Sequence, residues 1–89
     1  MVWRIEYAES VQKDVRKLDA PERKRIRDFI EVKVANLEEP RSLGKPLAGG
    51  ISGLWRYRVG NYRIIASIED RDIRILVVKI AHRKEVYRQ

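Results

Sequence analysis

Cysteine is absent from this 89-residue chain, so neither a disulfide framework nor a thiolate metal site is available to it. Histidine occurs once, as His82, and the acidic residues are scattered, which leaves too few ligands for a metal centre. No apolar run approaches the ~20 residues of a membrane-spanning helix. The N-terminus also lacks the apolar core of a signal peptide. The expectation is a soluble cytoplasmic protein with no metal, no cofactor and no membrane association. Three prolines and five glycines rule out a low-complexity chain, and no internal repeat is present. What remains is 44% hydrophobic and 37% charged, the profile of a single globular domain spanning residues 1–89 with a modest core.

The net charge of +7 is unevenly spread. Residues 1–44 carry ten Lys/Arg against nine Asp/Glu, a net of +1, whereas residues 45–89 carry ten against four, a net of +6. An excess confined to one half points to a polyanionic partner at the surface which that half builds. Charge alone does not separate an RNA binder from a protein that docks an acidic peptide.

Hydrophobic periodicity supplies the elements. Trp3, Ile5 and Tyr7 alternate with Arg4 and Glu6, the period of a half-buried strand. Glu9 or Ser10 can cap a short helix with Val11, Val15 and Leu18 as its inward stripe. Asp19, Pro21 and Glu22 have the spacing of a helix start, and the helix they open runs to about Leu37. It buries Ile26, Phe29 or Ile30, Val34 and Leu37. The two helices form an antiparallel hairpin. Residues 41–52 read as an ordered loop pinned to the core by Leu43 and Leu47. Strands follow at 54–59, 62–68 and 73–80, the first two joined by Gly60-Asn61, which suits a primed hairpin turn. Residues 62–68 and 73–80 are apolar on both faces, so they are central, or one of their faces is covered by something outside the chain. The fold class is α+β, in the order β-α-α-β-β-β with a short helical tail. The helical hairpin packs on one face of a mostly antiparallel four-stranded sheet.

Arg56 and Arg58 lie two apart and project from one face of their strand, and Arg63 follows just past the turn. Arg83 and Tyr87 come after the last strand. If these pairings hold, the arginines converge with His82 and Tyr87 at one end of the sheet. The blander reading, a solvated basic face, fits any single arginine better than it fits the set. RNA cleavage by its own 2′-hydroxyl needs a proton acceptor, stabilisation of a charged pentavalent phosphorus and protonation of the departing 5′-oxygen. Guanidinium groups serve the second need by holding phosphate bidentately. His82 is the one side chain that ordinarily titrates near neutrality, which makes it a candidate base; a strand-end histidine bonded to a backbone carbonyl is an equal alternative. Tyr87 can exchange a proton, stack on a base or simply pack the tail. Arg56, Arg58, Lys45 and Lys84 are candidate RNA-binding cations.

The segments IEYAES…VRKL, LAGG-ISGLWRYRVGNYRII and IAHRKEVY, in this order, resemble the RelE/ParE superfamily of toxins, and most closely its RelE branch. That resemblance implies a RelE-like fold and a toxin of a type II toxin–antitoxin system. It also implies a metal-independent mRNA endoribonuclease that cuts in the ribosomal A site, contacts 16S rRNA and is neutralised by a RelB-like antitoxin. The toxin–antitoxin complex would bind operator DNA through the antitoxin. By position, Arg56 and Arg58 match strand cations that hold substrate, Arg63 and Arg83 match phosphate-stabilising arginines, and Tyr87 matches the tyrosine that orients the cleaved nucleotide. One departure is that the best-known RelE has lysines where Arg56 and Arg58 stand. Arginine does not act as a base at ordinary pH, so His82, Tyr87 or electrostatic activation must replace a lysine there. The rival expectations are a ParE-like toxin acting on DNA gyrase and an inactive homologue that only binds antitoxin.

Overall fold

A computed structural model describes residues 2–47 and 53–83. Strand β1 (Arg4–Tyr7) leads into helix α1 (Val11–Arg16), and helix α2 (Ala20–Asp28) continues as a π-helical turn over Phe29–Val34. A 3-10 turn (Pro40–Leu43) precedes strand β2 (Lys45–Pro46). Strands β3 (Leu54–Val59), β4 (Tyr62–Glu69) and β5 (Arg74–His82) complete the fold, with a 3-10 turn at Asp70–Asp72 between the last two. The sheet has five strands in the order β1-β5-β4-β3-β2. Only β1 and β5 are parallel; β2, β3, β4 and β5 pair antiparallel. The added strand is the difference from the sequence reading. Lys45 and Pro46 pair with Arg56 and Trp55 inside the stretch expected to be loop. Two residues, one of them proline, are too short a run to leave a periodic signal. The expected tail helix lies outside the described residues.

Asp19 caps α2 as its spacing predicts, its carboxylate accepting the Glu22 amide at 3.1 Å. Ser10 precedes α1 but makes no side-chain cap bond. The inward stripes pack as expected except at Leu37, which lies past the end of the helical stretch at Val34 and is half-buried outside the core cluster. Val11, Leu18, Ile26, Ile30 and Val34 meet Tyr57, Val59, Ile64, Ala66, Ile68, Ile75, Val77 and Ile80 from one face of the sheet. Leu43 departs from expectation: it is 41% exposed instead of pinning the loop to the core.

The two doubly apolar strands, β4 and β5, are central. Their alternation sends Ile64, Ala66, Ile68, Ile75 and Val77 to the helices, while Ile65, Leu76 and Val78 stay half-buried. These last three belong to the face turned away from the core. Val78 is the extra residue of a bulge, since Ile65 pairs with Lys79 and Ala66 with Val77. Beyond Val77, β1 no longer accompanies β5, and the Ile80 amide is instead taken up by the Asp14 carboxylate of α1 at 3.2 Å. The β3–β4 hairpin turns at Gly60, whose φ of +59° disfavours a side chain. A Cβ there would also come within 2.8 Å of the Arg25 guanidinium. Among the described residues, no helix is long and apolar enough to cross a membrane.

Candidate functional site

Alternation along β3 puts Arg56 and Arg58 on the open face, opposite the side that buries Tyr57 and Val59. Register across the hairpin sets Arg63 directly against Arg58, and β2 sets Lys45 directly against Arg56. All four cations line one open pocket of about 230 Å³, together with Leu43 and Tyr57.

The wall that carries Lys45 is held from below. The Tyr57 hydroxyl donates to the Pro40 carbonyl at 2.8 Å, and burial pushes this phenol up to about 12. Gly44 then passes so close to β3 that an added Cβ would lie 3.0 Å from the Tyr57 ring and 3.1 Å from the Arg56 carbonyl. Arg41 locks the same turn from outside, bonding Glu39 at 3.0 Å and Asp70 at 3.1 Å. Its guanidinium also lies 5.9 Å from the Trp55 ring centre. A small residue, a buried phenol and an ion pair thus bring β2 against β3.

Charge pairing divides the sheet by its ends. At the β4–β5 turn, Arg74 bonds Glu6 at 2.9 Å and Glu69 at 2.7 Å, and Arg4 pairs with Glu6 at 2.9 Å. In the pocket, Lys45, Arg56 and Arg58 have no ion-pair partner among the described residues. Three cations that share a pocket without carboxylates form a site for an anion with several oxygens, such as a phosphodiester. Among the described residues, no cluster of His, Asp and Glu could hold a metal.

The remaining candidates fall elsewhere. Arg83 adjoins the hairpin, its amide donating to the Asn61 carbonyl at 2.7 Å, but its side chain is not part of the pocket wall. His82 is on the opposite face of the sheet. It pairs with Tyr62, the two rings edge-to-face at 5.3 Å, and lines a second pocket with Asp14, Lys17, Leu18 and Ile80. The expected convergence of the imidazole with the arginines is therefore corrected. Ala81 is the residue of β5 beside Arg63, so the next position, His82, must face the helices. Tyr87 and Lys84 lie outside the described residues. Sequence reasoning missed Leu43 and Tyr57 as walls of the pocket, because apolar residues near a turn carry no sign of which side they face.

Residues 5–87 match the family model described as the ParE toxin of the type II toxin–antitoxin system parDE. The chain belongs to the RelE/ParE toxin superfamily. It is similar over its whole length to toxin RelG of Mycobacterium tuberculosis, at 28% identity with both chains covered completely. Among solved structures, the toxin–antitoxin complex RelBE2 of the same organism matches at a TM-score of 0.83 and 23% identity, covering 93% of each chain. The RelB–RelE antitoxin–toxin complex from Methanococcus jannaschii matches at a TM-score of 0.73 and 28% identity, covering 93% of this chain and 95% of that one. This RelE/ParE protein is a type II toxin, and its curated relatives and structural neighbours are of the RelE kind.

Proposed function

We propose that this toxin is an endoribonuclease that cuts mRNA in the ribosomal A site. The observation that carries the reading is the pocket in which Lys45, Arg56, Arg58 and Arg63 meet, the first three without carboxylate partners among the described residues. Arg56, Arg58 and Arg63 hold the scissile phosphate and offset the charge that gathers as the 2′-hydroxyl attacks in line. The 2′-oxygen forms a bond to phosphorus, the bond to the 5′-oxygen breaks, and no metal is required. The guanidinium groups cannot accept the 2′-proton. With His82 across the sheet, the attacking hydroxyl is activated by the electrostatics of the pocket and loses its proton to solvent. Tyr87 keeps the proposed role of orienting the nucleotide, Arg83 assists at the phosphate, and Lys84 contributes to RNA binding. Contacts to 16S rRNA use the same basic surface, and the protein acts in the cytoplasm.

Its proposed partner is a RelB-like antitoxin, by analogy with the RelB–RelE complexes among its structural neighbours. Operator DNA would be bound through that antitoxin. A second reading, gyrase inhibition, is favoured by one observation: the matching family model is described as ParE.

Brief induction of the toxin in cells, followed by mapping of mRNA ends, separates the two readings. Codon-phased cuts within translated messages are expected. Intact messages with trapped gyrase–DNA complexes would replace the ribonuclease reading with the second one.

A further inference from the structure

Two cations of helix α2 are held by partners close at hand. Lys24 pairs with Asp28 at 2.7 Å, and Arg23 donates to the Leu18 carbonyl at 3.2 Å. Arg25, between them, is not. Two carboxylates stand at helical spacing from it, Glu22 three residues before and Asp28 three residues after. Among the described residues Arg25 nevertheless makes no ion pair and no side-chain hydrogen bond, while Glu22 keeps one oxygen buried and unpartnered. Its five N–H donors are therefore unused by those residues.

The Arg25 side chain lies instead over the tip of the β3–β4 hairpin. A Cβ on Gly60 would come within 2.8, 3.2 and 3.5 Å of its Nη1, Cζ and Nη2 atoms, so the guanidinium rests on a turn that only glycine leaves open. Positive charge already gathers there. Arg58 and Arg63 face each other across the same hairpin, and the Arg83 amide donates to the Asn61 carbonyl at 2.7 Å. Gly60 is two residues from Arg58, about 7 Å along an extended strand. Coulomb's law alone draws Arg25 to the carboxylates of its own helix and away from these arginines. A cation placed beside other cations suits a ligand whose negative charges repeat along a chain.

We infer that Arg25, laid across Gly60, grips a backbone phosphate of RNA beside the cut site, an inference that rests on the ribonuclease reading above. An RNA strand that leaves the arginine pocket past Arg58 and Arg63 runs over the hairpin tip and meets the Arg25 fork, which holds phosphate bidentately. Arg25 binds and positions the strand and takes no part in making or breaking bonds. The same chemistry serves a neighbouring phosphate of the message or one of 16S rRNA.

The test measures cutting of a synthetic mRNA on programmed ribosomes by the wild type, Arg25→Ala and Arg25→Lys over a range of salt. Arg25→Ala should raise KM by about 10-fold or more, the scale of one charged contact, with kcat unchanged. Its plot of log kcat/KM against log salt should be shallower by about 0.7, the share of one phosphate on a single strand. Arg25→Lys keeps the charge and should restore the slope, a rescue that a packing role does not predict. Methylphosphonates, which carry no charge, then replace the mRNA phosphates flanking the cut one at a time. A position that raises KM in the wild type but not in Arg25→Ala assigns the contact to the message. A shallower slope with no such position assigns it to 16S rRNA. An unchanged KM and slope in Arg25→Ala, or a fall in kcat alone, would overturn the role of Arg25 while the ribonuclease reading stands. If the wild-type toxin cuts no message, the ribonuclease reading fails and this inference fails with it. Arg25 is exposed and alanine is a good helix former, so thermal unfolding of Arg25→Ala should match that of the wild type.

Discussion

Arg58 and Arg63 face each other directly across the β3–β4 hairpin, two like charges at one cross-strand position. Such pairs work against sheet pairing. Here they occur beside Arg56 in a pocket open to solvent. An anion that enters the pocket is attracted by both groups, so phosphate binding and sheet stability pull in opposite directions at this position. Arg58→Ala should therefore leave stability within about 0.5 kcal/mol of the wild type, or raise it. RNA cleavage should fall by about 100-fold or more, on the scale of losing one preorganised donor. Chemical denaturation alongside single-turnover cleavage checks both halves of this expectation.

His82 faces helix α1 and the Tyr62 ring, away from the arginine pocket. A histidine base would make cleavage rise with pH through its own titration and would be lost on substitution. His82→Gln is instead expected to keep both the rate and the pH profile of the wild type. A profile that loses its inflection near neutral pH in the variant would return the imidazole to the reaction.

Tyr57 links the core to the pocket wall that carries Lys45 through its bond to the Pro40 carbonyl. Tyr57→Phe removes that bond and leaves the carbonyl without its partner, a loss of about 1 kcal/mol that thermal unfolding can measure. Because the turn that delivers Lys45 is loosened, kcat should fall more than KM rises. A raised KM with kcat unchanged would mean that the turn matters for binding alone.

Asp70 is held below its usual carboxylate value of 3.8, first by the hydrogen bond from the Arg41 guanidinium. The sign follows from linkage. A lowered carboxylate pKa contributes stability that is present above the ordinary value and lost as pH falls through the lowered one. Asp70→Asn should thus be the less stable protein at neutral pH, and its stability should decline less steeply as pH falls below the ordinary carboxylate value of 3.8. Identical acid-unfolding curves for the two proteins would remove the Arg41–Asp70 pair from the account.

The elements themselves were legible in the chain. Asp19 and Pro21 mark the start of α2, Gly60-Asn61 marks the hairpin, and the doubly apolar β4 and β5 announce their central places. Half of the candidate site was legible as well. Arg56 and Arg58 share a face by the two-residue period of a strand, and a two-residue turn carries Arg63 to the position opposite Arg58. Strand β2 was not legible, since it exists only because Gly44 and Tyr57 let the loop approach β3. Nor was the face taken by His82, which depends on where β4 and β5 come into register across the bulge at Val78.

The sequence by itself determined the helices, the hairpin and the gathering of positive charge in the second half, because each of these arises from neighbours within a few residues. Tertiary structure alone decided which cations share one pocket and which ring is excluded from it. Side-chain direction in a sheet reverses with every residue, and only long-range pairing sets the count from one strand to the next.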